Sequence, residues 1–370
     1  MKLNRIFFVV FLALCACTNP KESTYNGSPV IKATSDWTAY KIDTDWYRGQ
    51  WSIAPQVAHD TLQVVCHKNK ESFEFITDMD TIAFDVSANT TKDFYVQLND
   101  STYAHTIIQG VPLESNQLNF DTLRNSEIQI KYQTEKSAFL EELKQTYALD
   151  FIDKKMTDTE IVLAVLNWTN SRWKHNGNNS PSKNDAITIL NEAKAGKQFP
   201  CFAFAIVLKD QLNTLGFNAR TVYLKTQDAA DRKGPPGHVA TEVFINDLQK
   251  WVFIDGQFNV MPTLNNIPLN AVEFQDAINN DYDNFTLESL AAEKSTKRNY
   301  VNFVYDYLYY FDTSLDHRYE KDQRHTIAEK QSIMLVPLGA KNLTHIDFWN
   351  MNVDYCVYTN SINDFYAKPN

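Results

Sequence analysis

Cys201, His238 and Asp255 follow one another within 55 residues, and their side chains supply the three parts that thiol chemistry on an acyl group requires. A cysteine becomes a nucleophile when a neighbouring base takes its proton. An imidazole serves as that base when a third group fixes its tautomer and steadies the imidazolium. The chemistry these residue types could perform together is therefore nucleophilic attack on a carbonyl, with a thioester as the intermediate.

Each of the three sits in a local context that would position it. Residues 196–216 read as a loop leading into a helix that starts near Cys201, with Pro200 suited to the first helical position and Gly216 to the residue past the last turn. A sulfur at a helix start meets unpaired backbone N–H groups and the positive end of the helix dipole, which favour thiolate and offer a donor to an oxyanion. The same cysteine also heads an apolar stripe, Cys201, Ala205, Leu208, Leu212 and Leu215, spaced 4, 3, 4 and 3. That pattern alone would fit a buried thiol filling the core.

The partners tip the balance towards chemistry. A polar loop, 228–237, ends at His238. Two runs then read as a hairpin, residues 238–245 and 250–255, joined by 246–249. Antiparallel pairing brings the start of the first run beside the end of the second, and so His238 beside Asp255. The other seven histidines, at 59, 67, 105, 175, 317, 325 and 345, have no such hairpin partner. The chain has only 10 glycines, yet Gly196, Gly216, Gly234, Gly237 and Gly256 fall in this stretch, where the backbone must turn beside the three side chains.

With these motifs in place, the chain resembles the transglutaminase-like superfamily, whose members share a papain-like core. The resemblance rests on Gly196 to Cys201 with Ala203 and Ala205, on 215–220, on Gly237-His238 followed by Glu242-Val243-Phe244, and on 251–259; it covers roughly residues 158–262. It implies an α+β fold in which a helix carrying Cys201 packs on an antiparallel sheet carrying His238 and Asp255. It also implies a nucleophile at Cys201, a general base and acid at His238 and an orienting carboxylate at Asp255. Peptide, protein or peptidoglycan-like amides are the substrates it suggests, with water or an amine as acceptor. A second oxyanion donor is expected upstream, and Trp173, near the end of a helix read over 159–175, is the candidate, with aromatic core packing as its other role. Gln257 is expected to help line the cleft. No cofactor and no metal are expected, because no Cys/His cluster has zinc spacing and no calcium ligand set is identifiable. A second function class stays open on the same fold: a non-catalytic binding or assembly module.

Outside this region, Lys2 and Arg5 precede the apolar run Ile6 to Ala16, which is too short to span a bilayer and reads as a signal peptide over 1–16. Leu14-Cys15-Ala16-Cys17 resembles a bacterial lipobox, so Cys17 is expected to be lipidated and to anchor the chain to a cell-envelope membrane, with 17–35 as a polar tether. Loss of Lys2 and Arg5 takes the formal charge from -10 to -12. So acidic a body argues against nucleic acid as partner. Cys66 and Cys356 could form one disulfide or remain two buried thiols.

Residues 36–135 alternate apolar and polar over short runs, among them Leu62–Val65, Phe73–Ile76, Ile82–Val86, Phe94–Leu98 and Ile128–Tyr132, which predicts a β-sandwich-like domain. The aromatic cluster Trp37, Tyr40, Trp46, Tyr47 and Trp51 is expected in its core; exposed, its rings could instead stack on sugars. From about 135 the period becomes helical, placing a catalytic domain over 136–285. A C-terminal extension, 286–370, is expected to pack on it, beginning with a helix at 287–294.

Overall fold

A computed structural model describes residues 23–50, 59–125, 127–292, 295–320 and 322–369. The expected signal peptide and Cys17 lie outside these residues, as does Trp51. Two compact units divide between Leu113 and Glu114.

Among the described residues, the first unit is a β-sandwich of nine strands: β1 Thr24–Tyr25, β2 Ser28–Lys32, β3 Trp37–Ile42, β4 Asp45–Gln50, β5 His59–Cys66, β6 Glu71–Ile76, β7 Thr81–Val86, β8 Thr91–Asn99 and β9 Thr102–Pro112. They form a four-stranded sheet, β4-β3-β6-β7, and a five-stranded one, β1-β2-β8-β9-β5. Alternation explains the pairing of the sheets: Phe73 and Phe75 from one, and Val64, Phe94, Val96 and Ile108 from the other, point inward into one core. The same alternation sends Trp37 and Trp46 to the outer face, 48% and 55% exposed, while Tyr40 and Tyr47 stack against the core. The expectation that all these aromatics fill the core is corrected for the two tryptophans. So is the polar tether, since residues 24–32 of its expected span are paired strands.

The second unit is α+β. Its elements are α1 Ala138–Thr146, α2 Asp158–Asn170, α3 Ala186–Lys194, α4 Cys201–Thr214, β10 Asn218–Lys225, β11 Gly237–Ile245, β12 Lys250–Ile254, β13 Met261–Leu264, β14 Ile267–Pro268, α5 Ala271–Asn280, β15 Phe285–Glu288, α6 Lys297–Val304, a 3₁₀ turn Tyr305–Tyr307, β16 Tyr310–Ser314, β17 Ser332–Leu335, β18 His345–Ile346, a 3₁₀ turn Asp347–Trp349, β19 Met351–Asn352, β20 Cys356–Thr359 and α7 Ile362–Phe365. The central sheet runs β12-β11-β10-β16-β17-β20. Half of it is therefore supplied by residues after 309, so the C-terminal segment is part of the core sheet rather than an addition to it. Helix α4 lies against this sheet: Ala205, Leu208 and Leu212 are buried, and Ala205 O accepts a hydrogen bond from Thr241 Oγ1 at 3.1 Å.

Two expectations about boundaries fail for physical reasons. Ile128–Tyr132 does alternate, but among the described residues its ladder contact is a bridge from Lys131 to Asp316 in the second unit, and Arg220 Nη1 meets Tyr132 Oη at 3.4 Å. The domain junction thus falls near 113 instead of 135. The helix expected at 287–294 is absent from its first residues, because β15 pairs with β13 from Met261–Glu288 to Leu264–Phe285. Tertiary pairing outweighs local helix propensity there.

Candidate active site

Helix α4 begins at Cys201, with Pro200 as its N-cap in extended geometry (φ -77°, ψ -179°) and not, as expected, as the first helical residue. The consequence for Cys201 is direct: it becomes the first residue of the helix and takes the position at the positive end of the dipole. Its side chain is half-buried, while Ala205 one turn on is sealed. Gly216 follows the last turn at φ +89°, a left-handed conformation that suits glycine and lets the chain leave for β10.

His238 is the second residue of β11, and Asp255 follows the last residue of β12. The ladder runs Ile245–Lys250 to Thr241–Ile254. One step further places Asp255 across from Ala240, diagonal to His238 on the same face. Close approach makes this end tight. A Cβ on Gly256 would stand 3.1 Å from Phe204 Cβ, so glycine lets the end of β12 rest directly on α4 beside Cys201.

The imidazole is buried, and His238 Nε2 donates to Asp255 Oδ2 at 2.7 Å. With Nε2 engaged, Nδ1 is the ring nitrogen left for Cys201, which lies close enough to favour the charged imidazole. Burial works against a charged imidazole, yet the Asp255 carboxylate and then Cys201 more than offset it, and the His238 pKa is raised to about 10. His175, whose segment bridges Phe199 just before the cysteine, shifts the other way, lowered first by burial and then by the nearby His238 charge.

Asp255 is completely buried and fully satisfied. Its Oδ1 accepts the backbone N–H of Gln257 at 2.9 Å and of Phe258 at 3.4 Å, and its Oδ2 accepts the Tyr300 hydroxyl at 2.9 Å besides His238. The turn that delivers those amides is fixed from α2: Asn170 Nδ2 donates to Gly256 O and Gln257 O, at 3.1 and 2.9 Å, and Asn259 Nδ2 donates to Asn167 Oδ1 at 2.9 Å. Aromatic rings close over the imidazole, with Phe303 edge-on at 5.1 Å and 88° and Phe258 and Tyr307 further out.

Residues 145–256 match the model of the transglutaminase-like superfamily. The chain carries a transglutaminase-like domain. The matched stretch contains Trp173, Cys201, His238 and Asp255 and stops at Gly256, so everything that holds Asp255 from Gln257 onward lies beyond it. No curated protein matches the sequence. Among solved structures, the chain is similar to a "putative cysteine protease" from Cytophaga hutchinsonii, at 15% identity and a TM-score of 0.27, over 45% of this chain and 62% of that one.

Two other expected residues have specific places around the transglutaminase-like domain. Trp173 is buried against Phe204, 4.4 Å between ring centroids, and Phe199, so it packs as a core aromatic; yet its Nε1–H has no hydrogen-bond partner. Gln257 contributes its backbone N–H to Asp255, and its side-chain Oε1 is buried without a partner. Among the described residues, no group of three His, Cys, Asp or Glu side chains gathers as a metal site. Tyr300 and Phe303 were not singled out from the sequence; the one available signal was the aromatic density of 300–311.

Cys66 and Cys356 are both buried. Cys66 belongs to the sandwich core and Cys356 to the core beside β17, where burial and then the Asp312 charge push its thiol well up.

Proposed function

We propose that this protein is a cysteine-dependent enzyme that opens peptide or peptidoglycan-like amide bonds through a thioester on Cys201. One observation carries the reading: a half-buried sulfur at a helix start lies close enough to a buried imidazole to favour its charged form, and Asp255 holds that imidazole by Nε2 at 2.7 Å. A raised His238 pKa favours imidazolium beside thiolate, the form in which sulfur attacks the carbonyl carbon. The developing oxyanion meets backbone N–H groups at the start of α4, and the unpaired Trp173 indole N–H is the candidate second donor. His238 passes its proton to the departing amine as the C–N bond breaks. The imidazole then takes a proton from water or from an incoming amine, which attacks the thioester and releases the thiolate. Hydrolysis and amine transfer share every step but the last, and an amine-bearing fluorophore offered with a protein substrate separates them.

The test is to trap the acyl-enzyme with a peptide library and identify the adduct by mass. An adduct on Cys201, absent from Cys201→Ala, is the expected result. No adduct, together with iodoacetamide alkylation that follows the pH dependence of an ordinary thiol, would leave a binding module on the same fold.

We also propose that the chain works in the bacterial envelope, held to a membrane by lipid on Cys17. Support comes from the apolar run 6–16 ending in Leu-Cys-Ala-Cys and from a body too acidic to dock on anionic lipid by charge. Replacing Cys17 by Ser should move the protein from the membrane to the soluble fraction; unchanged fractionation would remove the anchor.

A further inference from the structure

Asp255 is held by a residue from far along the chain. The Tyr300 hydroxyl donates to the same Oδ2 that accepts His238 Nε2, at 2.9 and 2.7 Å. Tyr300 is fully buried on α6, its ring stacked on Phe274 at 6.1 Å and tilted on Phe258 at 5.1 Å. One turn on, Phe303 stands edge-on to the imidazole, and Tyr307 is 6.0 Å from it. One short segment thus touches both the carboxylate and the ring that the carboxylate orients.

We propose that Tyr300 is a positioning residue for the Asp255–His238 pair, acting through the carboxylate, and that residues 300–307 form the roof of the site. The inference rests on the reading of Cys201, His238 and Asp255 as a working triad. A buried carboxylate shared between an imidazole and a phenol has its lone pairs assigned by two donors at once, so it can swing only by breaking one of them. The phenol also draws carboxylate charge away from the imidazolium, which tempers the proton affinity of His238. Burial, and then the Asp255 charge, hold the phenol well above its ordinary range, so it stays a neutral donor. The other titratable groups facing or near the imidazole are Cys201, Tyr307 and His175.

Tyr300→Phe keeps the ring and removes the donor. We expect the fold to be retained, the His238 NMR titration midpoint to rise by about half to one unit, and the acylation rate at neutral pH to fall about tenfold. Should that variant fail to fold, 3-fluorotyrosine at position 300 keeps the shape and strengthens the donor, and the midpoint should move down instead. A purely structural role would lower the melting temperature and leave the midpoint where it was. An unmoved midpoint in an enzyme that still acylates overturns this inference alone. A moved midpoint in a protein that never acylates supports the hydrogen bond and removes the enzymatic reading instead.

Discussion

Asp255→Asn discriminates sharply, because the surroundings dictate which way the amide must face. Two backbone N–H groups point at Oδ1 and two donors, from His238 and Tyr300, at Oδ2. An amide could accept from His238 only by turning its NH₂ onto the two backbone N–H groups, donor against donor. The opposite orientation keeps the backbone bonds and points NH₂ at His238 Nε2, with the Tyr300 oxygen free to rotate and accept. Nε2 must then lose its proton, so the neutral imidazole carries it on Nδ1, facing the sulfur it is meant to deprotonate. The wrong tautomer should lower kcat/KM by about 10³-fold or more, roughly 4 kcal/mol of transition-state stabilisation. His238 should fall from about 10 to below its ordinary value, since burial would be the main influence left. Iodoacetamide alkylation of Cys201 followed across pH, with the imidazole read by NMR, measures both. Wild-type alkylation with an unchanged pH profile would refute the orientation argument, since it would mean that Asp255 does not set the imidazole.

Two further outcomes follow from the same geometry. Because the folded pKa of His238 lies above its unfolded value near 6.5, the pair's stabilisation is complete below that value and drains away as pH rises through about 10. Chemical denaturation should show wild type losing on the order of 3 kcal/mol more than His238→Gln between those limits, and parallel curves would contradict the assignment. Arg220 and Glu242, both fully buried, are joined at 2.8 Å, with Arg220 over the Trp251 ring at 4.2 Å and Glu242 accepting Tyr366 Oη at 2.8 Å. Arg220→Met should therefore cost about 3–5 kcal/mol by stranding the carboxylate, read as a lower urea midpoint, whereas a cost below 1 kcal/mol would show that the pair is not needed to hold the tail to the sheet.

The site was legible where its determinants are local. A helix start, a loop end and a hairpin are each written within a few residues, so Cys201, His238 and Asp255 could be placed before any coordinates. Alternation likewise exposed the sandwich strands. What alternation cannot state is the partner that does the burying. Ile128–Tyr132 has the period of a strand in the first domain, and its bonds go to Leu315, His317 and Arg220 in the second. Trp37 and Trp46 are apolar enough for a core, but Trp37 is out of phase on β3 with Tyr40 and Ile42, and Trp46 on β4 with Tyr47, all of which pack on the core, and register outranks hydrophobicity.

Tyr300 illustrates the deeper limit. It lies 45 residues beyond Asp255 in an aromatic run, where every second or third residue could be a core ring and nothing local marks the one whose hydroxyl finds a carboxylate. The contact exists because α6 packs across Phe258 and Phe274, and it connects the unmatched C-terminal part of the chain to the matched domain at a fully buried carboxylate. It follows that a fragment ending at Gly256 would keep the three reactive side chains while losing both backbone donors to Oδ1 and the phenol on Oδ2. Such a fragment would also lose β16, β17 and β20, half of the central sheet. The candidate site is therefore held by the whole segment from Glu114 onward, and the stretch that matches a known family supplies only Cys201, His238 and Asp255 themselves.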